Sequence, residues 1–339
     1  MNETRNAQAR PLAAPNTLDI SRLKNLLVYA PSETRSAAAR IATLAATVNG
    51  SNVTLADSIE NLEHDVSRKL PGDWDVPRLV RDRKTTTLQR IATRMRRLGL
   101  HPRVSIGRGS APEAVRREVE ESGCDLLILD ADHNQRGPNA RALVQSLIEE
   151  CPCPVLFARP VKRRRRMHIL TAIDSSVLSE NLPDPLSMEL MHSAVSFAAL
   201  LGGEVHVLHA WQSASDGYMR WAGVRGETLD EHQEFALAEA RDHVTRTFEP
   251  FRELVGALEI HLEAGDPQTV IPQFAERHRI DLVVIGTAER KGISRHIIGN
   301  TAAPVFDGLG CSMMVVPRPS FSQSDFLTAS SSEEARYAP

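Results

Sequence analysis

Residues 281–286 read DLVVIG, and residues 125–130, almost half of the 339-residue chain earlier, read DLLILD. Each stretch begins with an aspartate and continues as a run of aliphatic residues. A run of this kind, without polar alternation, is typical of a strand that is covered on both faces of a parallel sheet. The pair therefore predicts an α/β protein in which one structural unit occurs twice.

Three further pairs of short apolar runs follow the same order at similar spacing. They are residues 24–31 with 167–174, 50–57 with 202–209, and 153–160 with 311–318. Chance rarely preserves both order and spacing, so the chain is predicted to contain an internal duplication. We place the first domain at residues 21–160 and the second at residues 165–319.

Segments with the apolar period of a helix lie between the predicted strands. They are residues 33–48, 76–98, 110–122 and 140–150 in the first copy, and 183–202, 228–254, 267–279 and 300–309 in the second. Ser110 with Glu113 has the pattern of a capping box, and Asp266 precedes a first-turn proline. Strand–helix alternation predicts two tandem domains, each a doubly wound parallel sheet.

The composition is that of an ordinary soluble globular protein. The chain is 42% hydrophobic and 24% charged, with a net charge of −3, which gives no general reason to expect nucleic-acid or membrane binding. No apolar run approaches the ~20 residues of a membrane span. Four cysteines do not make a disulfide framework, so a reducing cytoplasm is expected. The basic run at residues 161–166 is interpreted as a solvated connector.

Ligands of open α/β sheets bind beyond the carboxyl ends of the strands, where backbone N–H groups favour phosphate. In the second copy, three loops and the start of the last helix are predicted to meet at that edge. The residues involved are Asp174, Ser175, Gly265, Pro267, Gly286, Thr287, Gly299, Asn300 and Thr301.

The stretch at 281–303, DLVVIGTAERKGISRHIIGNTAA, resembles the universal stress protein family. Nucleotide-binding members of that family carry Gly-x2-Gly-x9-Gly-(Ser/Thr) after the fourth strand. Gly286 and Gly299 match the first and third glycines, Glu289 stands at the second, and Asn300 takes the hydroxyl position. The likeness is greatest to tandem, E-type members, which implies two domains packed about a pseudo-twofold axis.

The resemblance also implies roles for individual residues. Asp174 matches the acid that contacts the nucleoside, and Ala210 lies where the second strand offers backbone to the base. Glu289 places a carboxylate where the family has glycine, and two unit charges ~4–5 Å apart repel by a few kcal/mol at an effective dielectric near 20. We therefore expect weak binding of ATP, with magnesium offsetting part of the repulsion.

The first copy departs further from the family pattern. Pro31 stands at the position of Asp174, and residues 130–133, Asp-Ala-Asp-His, replace the loop that begins with glycine. Carboxylates at a phosphate position argue against a nucleotide, so the first domain is predicted to be structural.

The cysteines and histidines are not predicted to form a site. Cys151 and Cys153 are interpreted as structural residues because Cys153 shares its repeat position with Cys311. His206 and His209, three apart on a predicted strand, are expected on opposite faces, and no metal site is predicted.

The functional hypothesis is a cytoplasmic, non-enzymatic regulatory protein of the stress response. In the family, such domains dimerise through their last strands, which implies that the two copies of this chain pack against each other in that way. Two chains are expected to pair again as a homodimer. Two alternatives remain open. One is a carrier or scaffold that binds an apolar or non-nucleotide ligand in the first domain, and the other is a slow ATPase.

Overall fold

A computed structural model describes the chain over its predicted domains, with gaps. The described residues are 23–32, 36–59, 75–131, 140–160, 166–173, 185–211, 257–287 and 301–318, together with 234–254 except 235–236, 239, 243 and 246–247. Both terminal segments and most of the basic connector lie outside them.

Ten strands of the described chain form one sheet. They are β1 Asn25–Tyr29, β2 Asn52–Ile59, β3 Arg103–Arg108, β4 Leu126–Asp130, β5 Val155–Ala158, β6 Met167–Ile173, β7 Gly203–Trp211, β8 Leu258–Ala264, β9 Leu282–Gly286 and β10 Ser312–Val316.

Seven α-helices of the described chain connect these strands. They are α1 Ala37–Asn49, α2 Val76–Arg96, α3 Ala111–Ser122, α4 Ala140–Glu150, α5 Pro185–Leu201, α6 Pro267–Arg277 and α7 Ala302–Gly308, with a 3-10 helix at Glu249–Leu254. Most bounds lie within a few residues of the predicted ones, and part of the helix predicted at 228–254 lies outside the described residues.

The strand order shows the duplication directly. The strand order of the sheet is β3-β2-β1-β4-β5-β10-β9-β6-β7-β8. Counted from either outer edge to the centre, each half has its third, second, first, fourth and fifth strand in that order. All neighbours are parallel except β5 and β10, the last strands of the two halves, which pair antiparallel. This pairing of equivalent strands relates the halves by an approximate twofold axis and confirms the predicted tandem, doubly wound fold.

Asp125 and Asp281, the first residues of the stretches 125–130 and 281–286, make the same contact in each half. Asp125 accepts hydrogen bonds at Oδ2 from the backbone N–H of Lys24 and of Asn25, at 2.9 and 2.8 Å. Asp281 accepts one at Oδ2 from the N–H of His168 at 3.1 Å. Each carboxylate thus joins the start of the fourth strand of its half to the start of the first.

Helix ends follow the capping signals with one exception. Asp266 caps α6 by accepting a hydrogen bond from Gln268 N at 3.1 Å, as predicted. Ser110 takes the N-cap position of α3, but its side chain makes no capping hydrogen bond. The predicted capping box is therefore wrong. The Glu113 carboxylate lies beside Gly109 instead.

The seam between the halves is buried and aromatic. Phe157 on β5 is fully buried and stands opposite Met313 of β10. Its ring centroid is 4.8 Å from that of Phe306 on α7. The halves therefore share a core as well as a strand pair.

Replacing Phe157 with alanine should destabilise the whole chain by about 3–5 kcal/mol, because a buried aromatic ring is lost and a cavity remains. The free energy of unfolding in urea is the measurement. Val48→Ala, on an exposed part of α1, should change it by no more than about 0.5 kcal/mol. In a double-mutant cycle with Phe306→Ala, a coupling of about 0.5–1.5 kcal/mol is expected from the ring pair. Strictly additive losses would contradict a shared core.

Candidate ligand-binding edge

The carboxyl ends of β9, β6, β7 and β8 lie side by side at one edge of the second half. Of the residues predicted to form a site, Ala210 near the end of β7, Gly265 after β8 and Gly286 at the end of β9 all lie there. Asp174, Ser175, Glu289, Gly299 and Asn300 lie outside the described residues.

Gly265 and Gly286 do not lie next to each other. Two strands, β6 and β7, separate β8 from β9, which corresponds to roughly 14 Å at the usual strand spacing. Only an extended ligand touches both positions. Their convergence with Asp174 and Gly299 on a common hollow stays a prediction.

Packing explains why residue 286 is glycine. A Cβ atom at that position would lie 2.7 Å from Cδ2 of Leu186, in the first turn of α5. The next residue, Thr287, donates its N–H to Val316 O at 3.0 Å. Sequence reasoning assigned Gly286 to a ligand loop, whereas the structure shows that close approach of α5 to β9 already requires it.

Gly265 has both a conformational and a steric requirement. Its φ is +142°, and a Cβ atom would lie 2.8 Å from Cγ2 of Val270. Pro267 is the first residue of α6, whose Gln268 N–H is already bonded to the Asp266 carboxylate. Thr301 is the N-cap of α7 and makes no side-chain capping bond.

In the first half, the corresponding edge is closed by the chain's own charges. Asp130, the last residue of β4, is buried, and it accepts hydrogen bonds from Ser32 N at 2.8 Å and Ala38 N at 2.9 Å. Its carboxylate therefore occupies the position between the loop after β1 and the N-terminus of α1 where an external anion would bind.

A second internal pair lies at the end of β2. Lys84 of α2 donates to the Asp57 carboxylate at 2.6 Å and to the Ser58 carbonyl at 2.7 Å. Asp132 and His133 of the first-copy loop lie outside the described residues. The two halves thus differ at their carboxyl edges, where the fourth strand ends in Asp130 in one half and in Gly286 in the other.

The cysteines show no sign of reactivity. Cys151 Sγ and Cys153 Sγ are 3.7 Å apart as free thiols, and Cys153 is buried. Hydrogen bonding to Cys124 and burial raise the pKa of Cys153, and burial raises that of Cys311 to about 12. Protonated thiols are poor nucleophiles and ligands, which supports a structural role.

The histidines are the feature that sequence reasoning missed. His206 faces the same side of the sheet as Leu208, and His209 faces the other, as predicted. However, His206 meets His168 on β6 and His261 on β8. Residue spacing along a single strand or helix does not reveal this cluster, because three strands form it.

Comparison with known proteins agrees with the fold. The universal stress protein family model matches residues 166–317. The universal stress protein E homolog of Haemophilus influenzae is 28% identical over 221 residues, which are 60% of this chain and 65% of the relative. Universal stress protein E of Photorhabdus laumondii is 24% identical over 308 residues, covering 86% of this chain and 93% of the relative.

Two solved structures from Pseudomonas aeruginosa share the whole arrangement. A putative universal stress protein of strain UCBPP-PA14 has a TM-score of 0.63 at 23% identity, covering 88% of this chain and 94% of its own. A functionally unknown protein of strain PAO1 has a TM-score of 0.65 at 22% identity, covering 95% and 100%. At this level of identity, the likeness is evidence for the fold.

The strand order and the carboxyl edge define the class: a tandem α/β protein with two doubly wound halves and a divergent edge in each. Residues 166–317 match the universal stress protein family model, and the chain is similar to universal stress protein E relatives over 60–86% of its length. Among the described residues, no helix is long and apolar enough to cross a membrane.

Replacing Asp130 with alanine should lower the free energy of unfolding by about 2–3 kcal/mol, since one buried and one partly buried N–H group lose a charged acceptor. Asp266→Ala, which removes an exposed helix cap, should cost about 1 kcal/mol. Urea denaturation of both variants is the comparison. Equal losses would show that Asp130 does not hold the first edge closed.

Proposed function

We propose that this protein is a non-enzymatic regulatory protein of the stress response that binds adenine nucleotide at the carboxyl edge of its second half only. The observation that carries the proposal is the difference between Asp130 and Gly286. In the first half, the chain's own carboxylate takes the N–H groups that would receive a phosphate. In the second half, the equivalent position bears no side chain.

The described part of the second edge is suited to binding rather than to chemistry. Ala210, Gly265 and Gly286 present backbone at this edge, and none of them carries a group that accepts or donates a proton during catalysis. We propose magnesium as the companion ion of the nucleotide, because it offsets the charge that Glu289 adds.

Equilibrium dialysis with ATP and magnesium should detect one weak site per chain and no phosphate release. Glu289→Gly should tighten binding about tenfold or more, since removing a charge repulsion of a few kcal/mol exceeds the 1.4 kcal/mol of a tenfold change. Asp174→Ala should weaken it.

The first copy supplies matched controls. His133→Gly and Pro31→Ala change the corresponding loop positions there and should leave ATP binding unchanged. Two equal sites per chain, or an effect of the controls as large as that of Glu289→Gly, would refute the assignment. Steady release of phosphate would favour the slow ATPase.

A second candidate function is favoured by a cavity of about 960 Å³. This groove lies between α1, α2 and α5, and its apolar lining includes Ile41, Leu44, Met95, Leu98, Phe197 and Leu201. The volume falls in the range of small-molecule sites. The carrier alternative placed such a pocket in the first domain, whereas the groove lies between the halves. Arg40 also lines it, which favours an apolar ligand with an acidic group.

A fluorescent fatty acid should bind in this groove with about tenfold lower affinity to Leu44→Asp than to the unmodified chain, since a charge replaces apolar surface. Val48→Asp adds the same charge to α1 at an exposed residue that does not line the groove, and it should bind normally. Equal affinities of both variants would contradict a ligand in the groove.

We also propose that the protein is a cytoplasmic homodimer whose interface does not involve the last strands of the two halves. The last strands, β5 and β10, pair with each other inside one chain. Their backbone edges are thereby used, so a dimer of two chains involves a different surface.

A further inference from the structure

Three histidines and a glutamate converge on one face of the sheet, beneath the C-terminal end of α6. His168, His206 and His261 come from the neighbouring strands β6, β7 and β8, and Glu259 is two residues before His261 on β8. Because α6 starts at the carboxyl edge and runs back across the sheet, its C-terminal end lies away from Gly265 and Gly286. The cluster is therefore separate from the candidate nucleotide site.

Three donor atoms of this cluster form a small triangle. His206 Nδ1 is 3.2 Å from His261 Nε2, and Glu259 Oε2 is 3.4 Å from the first nitrogen and 3.6 Å from the second. A tetrahedral ion with bonds of about 2.0–2.2 Å sets neighbouring ligand atoms about 3.3–3.6 Å apart. The triangle has the dimensions of one face of such a tetrahedron.

We propose that His206, His261 and Glu259 bind a divalent transition metal ion, zinc being the ion that this donor set favours. Two imidazoles and one carboxylate are ligands that zinc accepts, and calcium and magnesium prefer oxygen alone. The fourth position of the tetrahedron is left for a water molecule.

His168 acts as a positioning residue for this site. Its Nδ1 lies 3.1 Å from Nε2 of His206, the ring nitrogen that does not face the triangle. A metal-binding histidine usually donates its other N–H to an outer partner, which fixes its tautomer and orientation. His168 is itself near Glu204, whose Oε2 lies 3.9 Å from Nδ1.

The surroundings shelter and order the two ligand imidazoles. The His206 side chain is buried and that of His261 is mostly buried. The His261 ring packs edge-on against Phe274 with centroids 4.8 Å apart, and His278 stacks on the same Phe274 ring at 4.0 Å.

An ion reaches the site from the open side of the sheet. β8 is the last strand of the ten, and the Glu259 side chain is 59% exposed, whereas that of His206 is 6% exposed. A buried imidazole, a half-buried one and an exposed carboxylate give both shelter from water and a path for entry.

The test uses the full chain after removal of metal by dialysis against a chelator. Zinc is then titrated in competition with a chromophoric chelator, and one zinc per chain is expected. Glu259→Gln and His261→Gln each remove a ligand, so each should weaken zinc affinity more than loss of a residue that only orients a ligand. Loss of such an orienting residue typically costs roughly 10–100-fold. His168→Gln should weaken zinc affinity by about 10–100-fold.

Two controls match the ligands. Glu263→Gln changes a carboxylate on the same face of β8 that is already paired with Arg277, and His101→Gln removes an exposed histidine elsewhere. Both should bind zinc as the parent does. The urea unfolding midpoint of each variant, measured without metal, separates loss of a ligand from loss of fold.

The alternative is a chain of hydrogen-bonded histidines that serves only the fold. It predicts no stoichiometric zinc, or equal zinc affinity in Glu259→Gln, His261→Gln and the parent, and either result overturns the proposal. Cobalt in place of zinc should give the visible absorption of tetrahedral coordination, and an octahedral spectrum would contradict the geometry. Zinc binding should persist in Asp174→Ala, whose nucleotide binding is expected to weaken.

Discussion

The antiparallel pairing of β5 with β10 is the contact on which the remaining architecture depends. Without it, each half would expose a hydrophobic strand with unpaired backbone N–H and C=O groups, which invites association with other chains. The pairing makes both strands interior members of one sheet and brings Phe157 into contact with Phe306. It also places α1 and α5 near each other, and the apolar groove lies between them.

A shared scaffold has allowed the two halves to diverge at their carboxyl edges. Asp125 and Asp281 make the same bond to the first strand of their half, and the strand order of the two halves is the same. The fourth strands then end differently. The Asp130 carboxylate accepts hydrogen bonds from two backbone N–H groups of the first half. Gly286, which has no side chain, lets Leu186 approach the sheet. The first edge has become internal structure, and the second is the edge at which we propose that a ligand binds.

The histidine cluster shows a different use of the same sheet. Parallel strands place residues of one parity on one face, so β6, β7 and β8 each contribute an imidazole to a single row. The row lies toward the C-terminal end of α6, away from the edge where nucleotide binding is proposed. One half of the chain thus contains two chemically distinct candidate sites that need not compete.

The sequence by itself determined the features that depend on neighbouring residues. Continuous aliphatic runs such as DLVVIG identified the strands, the helical period located the helices to within a few residues, and their repetition revealed the duplication. Asp266 could be recognised as a cap because a cap bonds to the residues that follow it. Ser110 shows the limit of such rules, since the same local pattern occurs there without the hydrogen bond.

Only the tertiary structure decided which distant residues meet. The steric need for Gly286 depends on Leu186 of another element, and the bonds of Asp130 depend on a loop about a hundred residues earlier in the chain. The triangle of His206, Glu259 and His261 depends on the register between β7 and β8. A shift of β8 by one residue would send both Glu259 and His261 to the opposite face, and neither strand alone shows which residues of the other it will meet.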